Sequence, residues 1–437
     1  MKVQKFGGTS VGSAQRIKNV ARLISSFEGR NIIVLSAMSG TTNSLIEISE
    51  TLKEGEKRKA KKLTDSLFEK YKVVTNELFD DSKTKEEAME IVSQIFRHIE
   101  TLSDKPFTER IHKEIVAQGE IISTNLLYLY MKGQGKNAVL ISALDFMITD
   151  NNGEPAYTSI KNRLHEILSS IPDKDIIITQ GFICRTPDGK IDNLLRGGSD
   201  FTASIIGACV DAEEVDIWTD IDGMHNNDPR FVEDTSPVHK LHFDEAAELA
   251  YFGAKILHPT CILPAKIKNI PVRLLNTMQP EAEGTLINNE LEHGTIKAVA
   301  AKDNITTIKI KSSRMLLAYG FLKKVFEIFE KYRTPIDMIA TSEVGVSLTV
   351  DDNKNLVEIV RELEELGTVT IDKDMVIICV VGDLDWQNKG FEARAIDALR
   401  NIPVRMIAYG GSNYNISFLI DKANKTKALR LLSYHLF

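Results

Sequence analysis

The eight residues VQKFGGTS, from Val3 to Ser10, place a short apolar strand directly before a loop of glycines and hydroxyl side chains. Lys5 lies near the end of that strand, and a helical pattern follows from about Val11. Glycines let backbone N–H groups approach an anion closely, and the N-terminus of a helix adds partial positive charge. The stretch predicts the first strand of an α/β sheet with an anion-binding loop at its carboxyl end, although an ordinary tight turn explains the two glycines equally well.

Five further apolar runs repeat this pattern, and they are predicted strands at 31–38, 138–143, 175–183, 214–221 and 270–276. Continuous apolar runs separated by helical patterns are typical of a parallel sheet that is buried on both faces. The first two-thirds of the chain is therefore predicted to form a three-layer α/β domain with a mostly parallel sheet. The charged, mostly helical stretch 49–118 is predicted to form a helical lobe within it.

Composition narrows the class of protein. The chain has 437 residues, 43% of them apolar, which is enough for two or three domains with large cores. Its net charge of -7 argues against general affinity for nucleic acid or an anionic membrane surface. No apolar run reaches the roughly 18 residues of a membrane span, and the four cysteines lack the spacing of a zinc site or disulfide framework. These features predict a cytoplasmic protein that binds neither nucleic acid nor membranes.

The C-terminal third of the chain contains an internal repeat. The stretch GFLKKVFEIFEKYRTPIDMIATSEVGVSLTVD begins at Gly320, and GFEARAIDALRNIPVRMIAYGGSNYNISFLID begins at Gly390. Each copy has an amphipathic helix, a Pro-x-x-Met-Ile-Ala strand, a polar turn and a second strand that ends in Asp. The repeat predicts two copies of one small α+β module, with a boundary before them within 287–304.

Four further Gly-, Ser-, Thr- and Asp-containing loops follow or flank predicted strands. Ligands of open α/β sheets gather outside the carboxyl ends of the strands, so these loops are candidates for a shared site. They lie at 35–43, 179–183, 195–203 and 217–230.

Charged side chains near these loops suggest two anionic ligands. The Lys5 ammonium can bind a phosphate group as a point charge, whereas the Arg196 guanidinium can bind a carboxylate through two hydrogen bonds. Glu120 can bind an ammonium group or can be an ordinary glutamate at a helix start, and Asp200 can serve the site or merely cap a helix. Lys255 is a candidate phosphate contact, whereas the nearby His258 is left out of the site.

In chain order, the motifs KFGGTS, SAMSGTTN, QGE, TQGF, RGGSD, WTD, DPR and FGAKILHP closely resemble those of the aspartate kinases. The C-terminal repeat is similar to the pair of ACT modules in that family, so the resemblance covers nearly the whole chain. It implies an amino-acid-kinase (carbamate-kinase-like) fold followed by ferredoxin-like tandem ACT domains. It also implies transfer of the γ-phosphoryl group of MgATP to the β-carboxylate of L-aspartate, with Mg²⁺ entering with the nucleotide and no metal site formed by the protein itself.

The resemblance assigns roles to individual residues. Lys5 and Asp200 are the implied catalytic residues, and the implied aspartate-binding residues are Ser36, Thr42, Glu120, Arg196 and Ser199. The implied ATP-binding residues are Lys5, Gly7, Gly8, Ser10, Thr219, Asp220, His225, Arg230 and Lys255. His225 departs from the family pattern, because many relatives have a tyrosine there.

The first ACT module resembles the lysine-binding modules of the family, which implies feedback inhibition by L-lysine. The implied effector residues are Met315, Gly320, Phe321, Leu322, Asp337, Thr341, Ser342 and Glu343. Ala318 and Pro335 depart from the pattern, because they replace small polar residues.

The implied organisation is a catalytic domain at 1–290 and a regulatory region at 291–437. The two ACT modules span about 305–370 and 375–437, with one strand exchanged from 295–303, and they imply a homodimer or a dimer of dimers. Two alternatives stay open at this point: another kinase of the same fold that acts on glutamate, acetylglutamate or a nucleoside monophosphate, or a catalytically silent amino-acid sensor.

Overall fold

The structure, a computed structural model, describes residues 1–172, 175–194, 197–253, 257–312, 315 and 319–437. The chain divides into two compact units, which are described separately. The first unit comprises Met1–Met224 and Leu257–Asn289, and the second comprises His225–Ile256 and Glu290–Phe437.

The strands of the described residues are, in chain order, β1 (Lys2–Phe6), β2 (Asn31–Leu35), β3 (Ala138–Leu140), β4 (Ile176–Gln180), β5 (Ile183–Arg185), β6 (Ile191–Asn193), β7 (Glu214–Thr219), β8 (Lys240–His242), β9 (Val272–Asn276), β10 (Thr285–Asn288), β11 (Ile296–Lys311), β12 (Ile339–Ser342), β13 (Gly345–Val350), β14 (Thr368–Gly382), β15 (Val404–Tyr409) and β16 (Asn415–Asp421).

The helices are α1 (Ala14–Ile24), α2 (Thr41–Lys53), α3 (Lys57–Leu78), α4 (Ser82–Asp104), α5 (Glu109–Val116), α6 (Gln118–Gly133), α7 (Ala143–Phe146), α8 (Tyr157–Ser169), α9 (Gly198–Val210), α10 (Phe243–Tyr251), α11 (Leu263–Ile267), α12 (Phe321–Lys331), α13 (Leu356–Glu364), α14 (Phe391–Ala398) and α15 (Lys425–Leu436). Short 3₁₀ helices occupy Pro259–Ile262 and Lys422–Asn424. None of the described helices is both long and apolar enough to cross a membrane.

The first unit is built on a sheet in which seven strands follow the order β3-β4-β2-β1-β7-β9-β10. β1 lies between β2 and β7 and is parallel to both, and β10 is antiparallel to β9. The predicted, mostly parallel sheet is confirmed. The central strands are buried because helices cover their side chains; β2, for example, is buried at all five positions.

Several predicted boundaries were wrong. The predicted strand 138–143 ends at Leu140, and the predicted strand 175–183 is divided into β4 and β5. The second strand ends at Leu35 rather than at residue 38, because Gly40 adopts a left-handed conformation (φ 80°) and starts α2. The first helix begins at Ala14 rather than near Val11, because the Ser13 side chain accepts a hydrogen bond from Arg16 N–H and caps the helix there.

The second unit contains a six-stranded antiparallel sheet in the order β12-β13-β11-β14-β16-β15. β11 and β14 are long and pair with each other, and each passes through both halves of the sheet. Both strands have a left-handed residue at mid-length, Asn304 (φ 61°) in β11 and Asp374 (φ 55°) in β14. One half packs on α12 and α13, and the other packs on α14 and α15. The two halves correspond to the two copies of the sequence repeat.

Candidate active site

The carboxyl ends of β1, β2, β4, β7 and β9 lie at one edge of the first unit's sheet, because these strands are parallel neighbours. The loops that follow them carry most of the candidate residues from the sequence. The contacts at this edge show which of those side chains the fold brings together.

The Lys5 ammonium forms an ion pair with the Asp200 carboxylate, with 2.7 Å between Nζ and Oδ1. Lys5 comes from the end of β1, whereas Asp200 lies in the first turn of α9. The two side chains are only 11% and 12% exposed, so water screens the pair weakly. Asp200 is not the helix cap, because Gly197 occupies that position with a φ of 73°. The cation and carboxylate predicted from separate loops therefore belong to one cluster.

The glycine loop after β1 is held by backbone hydrogen bonds to β7 on one side and to the loop that follows β2 on the other. Gly7 N–H donates to the Trp218 carbonyl at 3.0 Å, and the Gly8 carbonyl accepts from Ser39 N–H at 3.0 Å. A Cβ at Gly8 would lie 2.7 Å from the Ala37 carbonyl oxygen, closer than real Cβ atoms approach. The close approach of two strand-end loops explains why glycine is required at this position.

Ser10 closes the same loop through a hydrogen bond of 2.6 Å between its hydroxyl and that of Thr277. Thr277 directly follows β9, and both residues are buried. The contact therefore ties the glycine loop to the end of a strand two positions away in the sheet. Sequence reasoning missed Thr277, although a hydroxyl side chain directly after the predicted strand 270–276 is a signal similar to the polar strand end that identified Thr219 and Asp220.

Glu120 lies in the first turn of α6 with only 3% of the residue exposed. Its Oε1 accepts a hydrogen bond from Ala37 N–H at 3.2 Å, and its Oε2 has no hydrogen-bond partner among the residues that the structure describes. Burial raises the pKa of the Glu120 carboxyl to about 8, and the Ala37 N–H offsets only part of this effect. A buried carboxylate with an unused oxygen is suited to receive a cationic group.

The β2 loop connects this carboxylate to the sheet. Ser36 N–H donates to the Phe6 carbonyl at 3.1 Å, and the Ser36 carbonyl accepts from the Ser123 hydroxyl at 2.8 Å. Ser36 thus lies between the end of β1 and α6. Thr42 is half-buried in the first turn of α2, next to Thr41, whose hydroxyl is hydrogen-bonded to that of Tyr71.

Ser199 packs directly on Gly181 at the end of β4, where a Cβ would lie 2.5 Å from the Ser199 hydroxyl. The next residue, Phe182, has a φ of 66°, which is a strained conformation for a residue with a side chain. Its N–H donates to the Thr202 hydroxyl of α9 at 2.9 Å, and this bond holds the strained turn against the helix. The fold therefore fixes the start of α9, and with it Asp200, against the sheet.

Thr219 is the last residue of β7, and Asp220 follows it at the same edge. The Thr219 hydroxyl donates to the Asp220 carboxylate at 3.2 Å, and the Thr219 carbonyl accepts from Thr277 N–H at 2.8 Å. Thr219 is half-buried and Asp220 is exposed.

The predicted nucleotide residues His225 and Arg230 belong to the second unit. A ring nitrogen of His225 is 2.9 Å from the Thr235 hydroxyl, and Arg230 forms a two-pronged ion pair with Asp228, two residues before it. The Arg230 side chain is 74% exposed. Arg196 and Lys255 lie outside the described residues.

Most predicted effector residues lie in the first half of the second unit. Gly320 caps α12 with a φ of 80°, and Phe321 and Leu322 begin the helix. Met315 and Phe321 contribute to the core of this half, whereas Thr341, Ser342 and Glu343 are exposed at the end of β12 and in the turn that follows. Asp337 differs from the others, because its side chain is 1% exposed and forms an ion pair with Lys302.

The first unit thus presents a cation held by a carboxylate, a glycine loop and a second, buried carboxyl group along one sheet edge. Such an arrangement can neutralise an anion at the loop and bind an ammonium group at Glu120. Among the described residues, no group of three or more His, Cys, Asp or Glu side chains is placed to hold a metal ion.

The chain is similar to known aspartokinases over its whole length, and two of its segments match domain profiles. Residues 1–276 match the profile of the Amino acid kinase family, and residues 378–436 match that of an ACT domain. Aspartokinase 1, chloroplastic, of Arabidopsis thaliana is 36% identical over all of this chain and 80% of its own length. The crystal structure of Escherichia coli aspartokinase III with aspartate and ADP (R-state) matches with a TM-score of 0.86 and 30% identity over all of both chains. The same protein with lysine and aspartate (T-state) matches with a TM-score of 0.84 and 30% identity, again over all of both chains.

Proposed function

The chain belongs to the aspartokinase family of ATP-dependent kinases, and from this premise we propose that it transfers the γ-phosphoryl group of MgATP to the β-carboxylate of L-aspartate. The product is 4-phospho-L-aspartate, which leads to lysine, threonine and methionine. The observation that carries the proposal is the ion pair of 2.7 Å between Lys5 and Asp200 beside the glycine loop. A carboxylate acceptor is already a nucleophile, so the reaction needs positioning and charge neutralisation rather than a general base.

Each part of the sheet edge has a role in this reaction. Lys5 neutralises the transferring phosphoryl group, and Asp200 orients the Lys5 ammonium. The N–H groups of the loop that contains Gly7, Gly8 and Ser10 cradle the phosphates. Mg²⁺ arrives with ATP as part of the substrate and supplies further positive charge.

The aspartate substrate lies along the β2 and β4 loops in this proposal. Its ammonium group binds Glu120, and that contact favours the ionised form of a carboxyl whose pKa burial raises to about 8. Ser36, Thr42 and Ser199 line the same substrate, and Arg196 holds one of its carboxylates. Thr219, Asp220, His225, Arg230 and Lys255 bind the nucleotide.

Regulation by L-lysine is part of the proposal. The effector binds the first ACT module through Met315, Gly320, Phe321, Leu322, Asp337, Thr341, Ser342 and Glu343. The choice of L-lysine as the effector is supported by the crystal structure of an Escherichia coli relative in complex with lysine and aspartate. The proposed organisation is a catalytic domain at 1–290 and a regulatory region at 291–437, in a cytoplasmic homodimer or dimer of dimers.

The test is ADP release by the full chain with MgATP and L-aspartate, with and without L-lysine, and with L-glutamate as a control substrate. We expect turnover that depends on aspartate and is suppressed by lysine. Turnover with glutamate instead would assign the site to another kinase of the same fold. Turnover that lysine leaves unchanged would overturn the effector assignment alone, and absence of turnover with aspartate would leave an amino-acid sensor.

A further inference from the structure

Asp337 is already bound by an ammonium group, and that group belongs to the protein itself. Lys302 Nζ lies 2.6 Å from Asp337 Oδ1 and 2.9 Å from Asp351 Oδ2. The Tyr251 hydroxyl donates to the same Asp337 oxygen at 2.9 Å, and the Tyr251 ring lies 4.4 Å from Lys302 Nζ. These four side chains, Tyr251, Lys302, Asp337 and Asp351, form one contiguous cluster in the second unit, which we call the Lys302 cluster.

Lys302 pairs with two carboxylates at once, and these differ in burial. Asp337 is 1% exposed, and its Oδ2 has no hydrogen-bond partner among the described residues. Asp351 is 37% exposed, so it can keep an ion pair with Lys302 at lower desolvation cost. Two ammonium groups on one buried carboxylate repel each other, so a second cation at Asp337 favours movement of Lys302 to Asp351.

The cluster is also connected to α10. Tyr251 is the last residue of this helix, and Gly253 follows it in close contact with β11, where a Cβ at Gly253 would lie 2.3 Å from the Ala301 carbonyl oxygen. Ala301 directly precedes Lys302. The chain that leaves α10 reaches the proposed nucleotide residue Lys255 two residues after Gly253.

The second ACT module contains the same pair with its charges reversed. Arg405 corresponds to Asp337, because each lies two residues after a proline, Pro403 or Pro335. Asp372 corresponds to Lys302, because each lies two residues before a left-handed residue, Asp374 or Asn304. Arg405 and Asp372 form an ion pair of 2.8 Å. A cationic effector therefore finds a carboxylate at this position only in the first module, and the second module provides a matched control.

We propose that the Lys302 ammonium and an ammonium group of the effector compete for the Asp337 carboxylate. An arriving L-lysine displaces Lys302 to Asp351, which removes the cation from the Tyr251 ring and loosens the end of α10. Lysine then inhibits the enzyme by weakening the binding of MgATP. This inference rests on the proposed inhibition by lysine and assigns Lys302, Tyr251 and Asp351 as positioning residues.

The test is the dissociation constant of radiolabelled L-lysine, measured by equilibrium dialysis on the full-length protein. Lys302→Met removes the competitor, so we expect lysine to bind about tenfold more tightly, and Arg405→Met in the second module to leave binding unchanged. Asp351→Asn removes the alternative partner of Lys302 from an exposed position, so we expect weaker binding in a variant that folds normally. Opposite effects of the Lys302 and Asp351 variants support competition.

Unchanged or weaker lysine binding in Lys302→Met, or unchanged binding in Asp351→Asn, would overturn the competition while leaving the proposed inhibition intact. Failure of the wild-type protein to bind lysine would overturn both. Tyr251→Phe provides a kinetic readout: we expect it to bind lysine while losing most of the lysine-induced increase in the KM for MgATP. A full increase in that variant would contradict the role of Tyr251.

Discussion

Replacing Glu120 by glutamine tests whether this carboxyl group is buried without a compensating charge. In the folded protein its pKa is raised from 4.5 to about 8 by burial. Between these pH values the folded protein keeps a proton that the unfolded chain has released, so stability falls as the pH rises through this range. At about 1.4 kcal/mol per pKa unit, the loss reaches roughly 5 kcal/mol at high pH.

Glutamine has no charge to desolvate, and its side-chain oxygen can still accept from Ala37 N–H. We therefore expect Glu120→Gln to match the wild type near pH 5 and to exceed it in free energy of unfolding by several kcal/mol at pH 9. Urea titration followed by tryptophan fluorescence reports on the first unit, because Trp218 is 4% exposed there, whereas Trp386 of the second unit is already 75% exposed. Glu87→Gln, at an exposed position on α4, is the control: it keeps Glu120 and should therefore show the same pH dependence of stability as the wild type.

An equal pH dependence in Glu120→Gln and the wild type would refute this reasoning, because it would show that the folded protein compensates the carboxylate. The same variant tests the proposed role in catalysis. Losing a charge-assisted hydrogen bond of about 2–3 kcal/mol should raise the KM for aspartate roughly 30- to 150-fold while leaving the KM for MgATP nearly unchanged.

Three further predictions concern Lys5 near the end of β1 and the loop that follows this strand. Lys5→Met should lower kcat for aspartate phosphorylation by about 10³-fold or more, because the transferring phosphoryl group loses its cation, and unaltered ADP release would contradict that role. Gly8→Ala should destabilise the first unit by about 1–3 kcal/mol, because its Cβ meets the Ala37 carbonyl at 2.7 Å; the midpoint of urea unfolding measures this. Ser10→Ala and Thr277→Ala should each cost about 1 kcal/mol, and a double-mutant cycle should give a coupling energy of similar size, whereas additive losses would argue against their hydrogen bond.

The repeating apolar runs and the glycine-containing loops were sufficient to predict the mostly parallel sheet and the edge at which its candidate residues lie. The signal was strong because a strand buried on both faces must be apolar along its length. Strand ends were predicted less well: residues 36–38 were included in the predicted second strand, but the left-handed Gly40 and the packing of Gly8 on Ala37 require a loop there. Backbone proximity of this kind leaves no periodic signal in the sequence.

The sequence by itself determined the α/β fold class and the charges and glycines at the strand ends, and the resemblance of its ordered motifs to those of the aspartate kinases indicated the family. Only the tertiary structure decided which of these groups meet. Lys5 forms an ion pair with Asp200, and Asp337 forms one with Lys302. Ser10 is hydrogen-bonded to Thr277, and one oxygen of Glu120 has no hydrogen-bond partner among the described residues. These partners are separated by 35 to 267 positions or depend on burial, and the energy of a charge is set by the groups and the water around it in three dimensions.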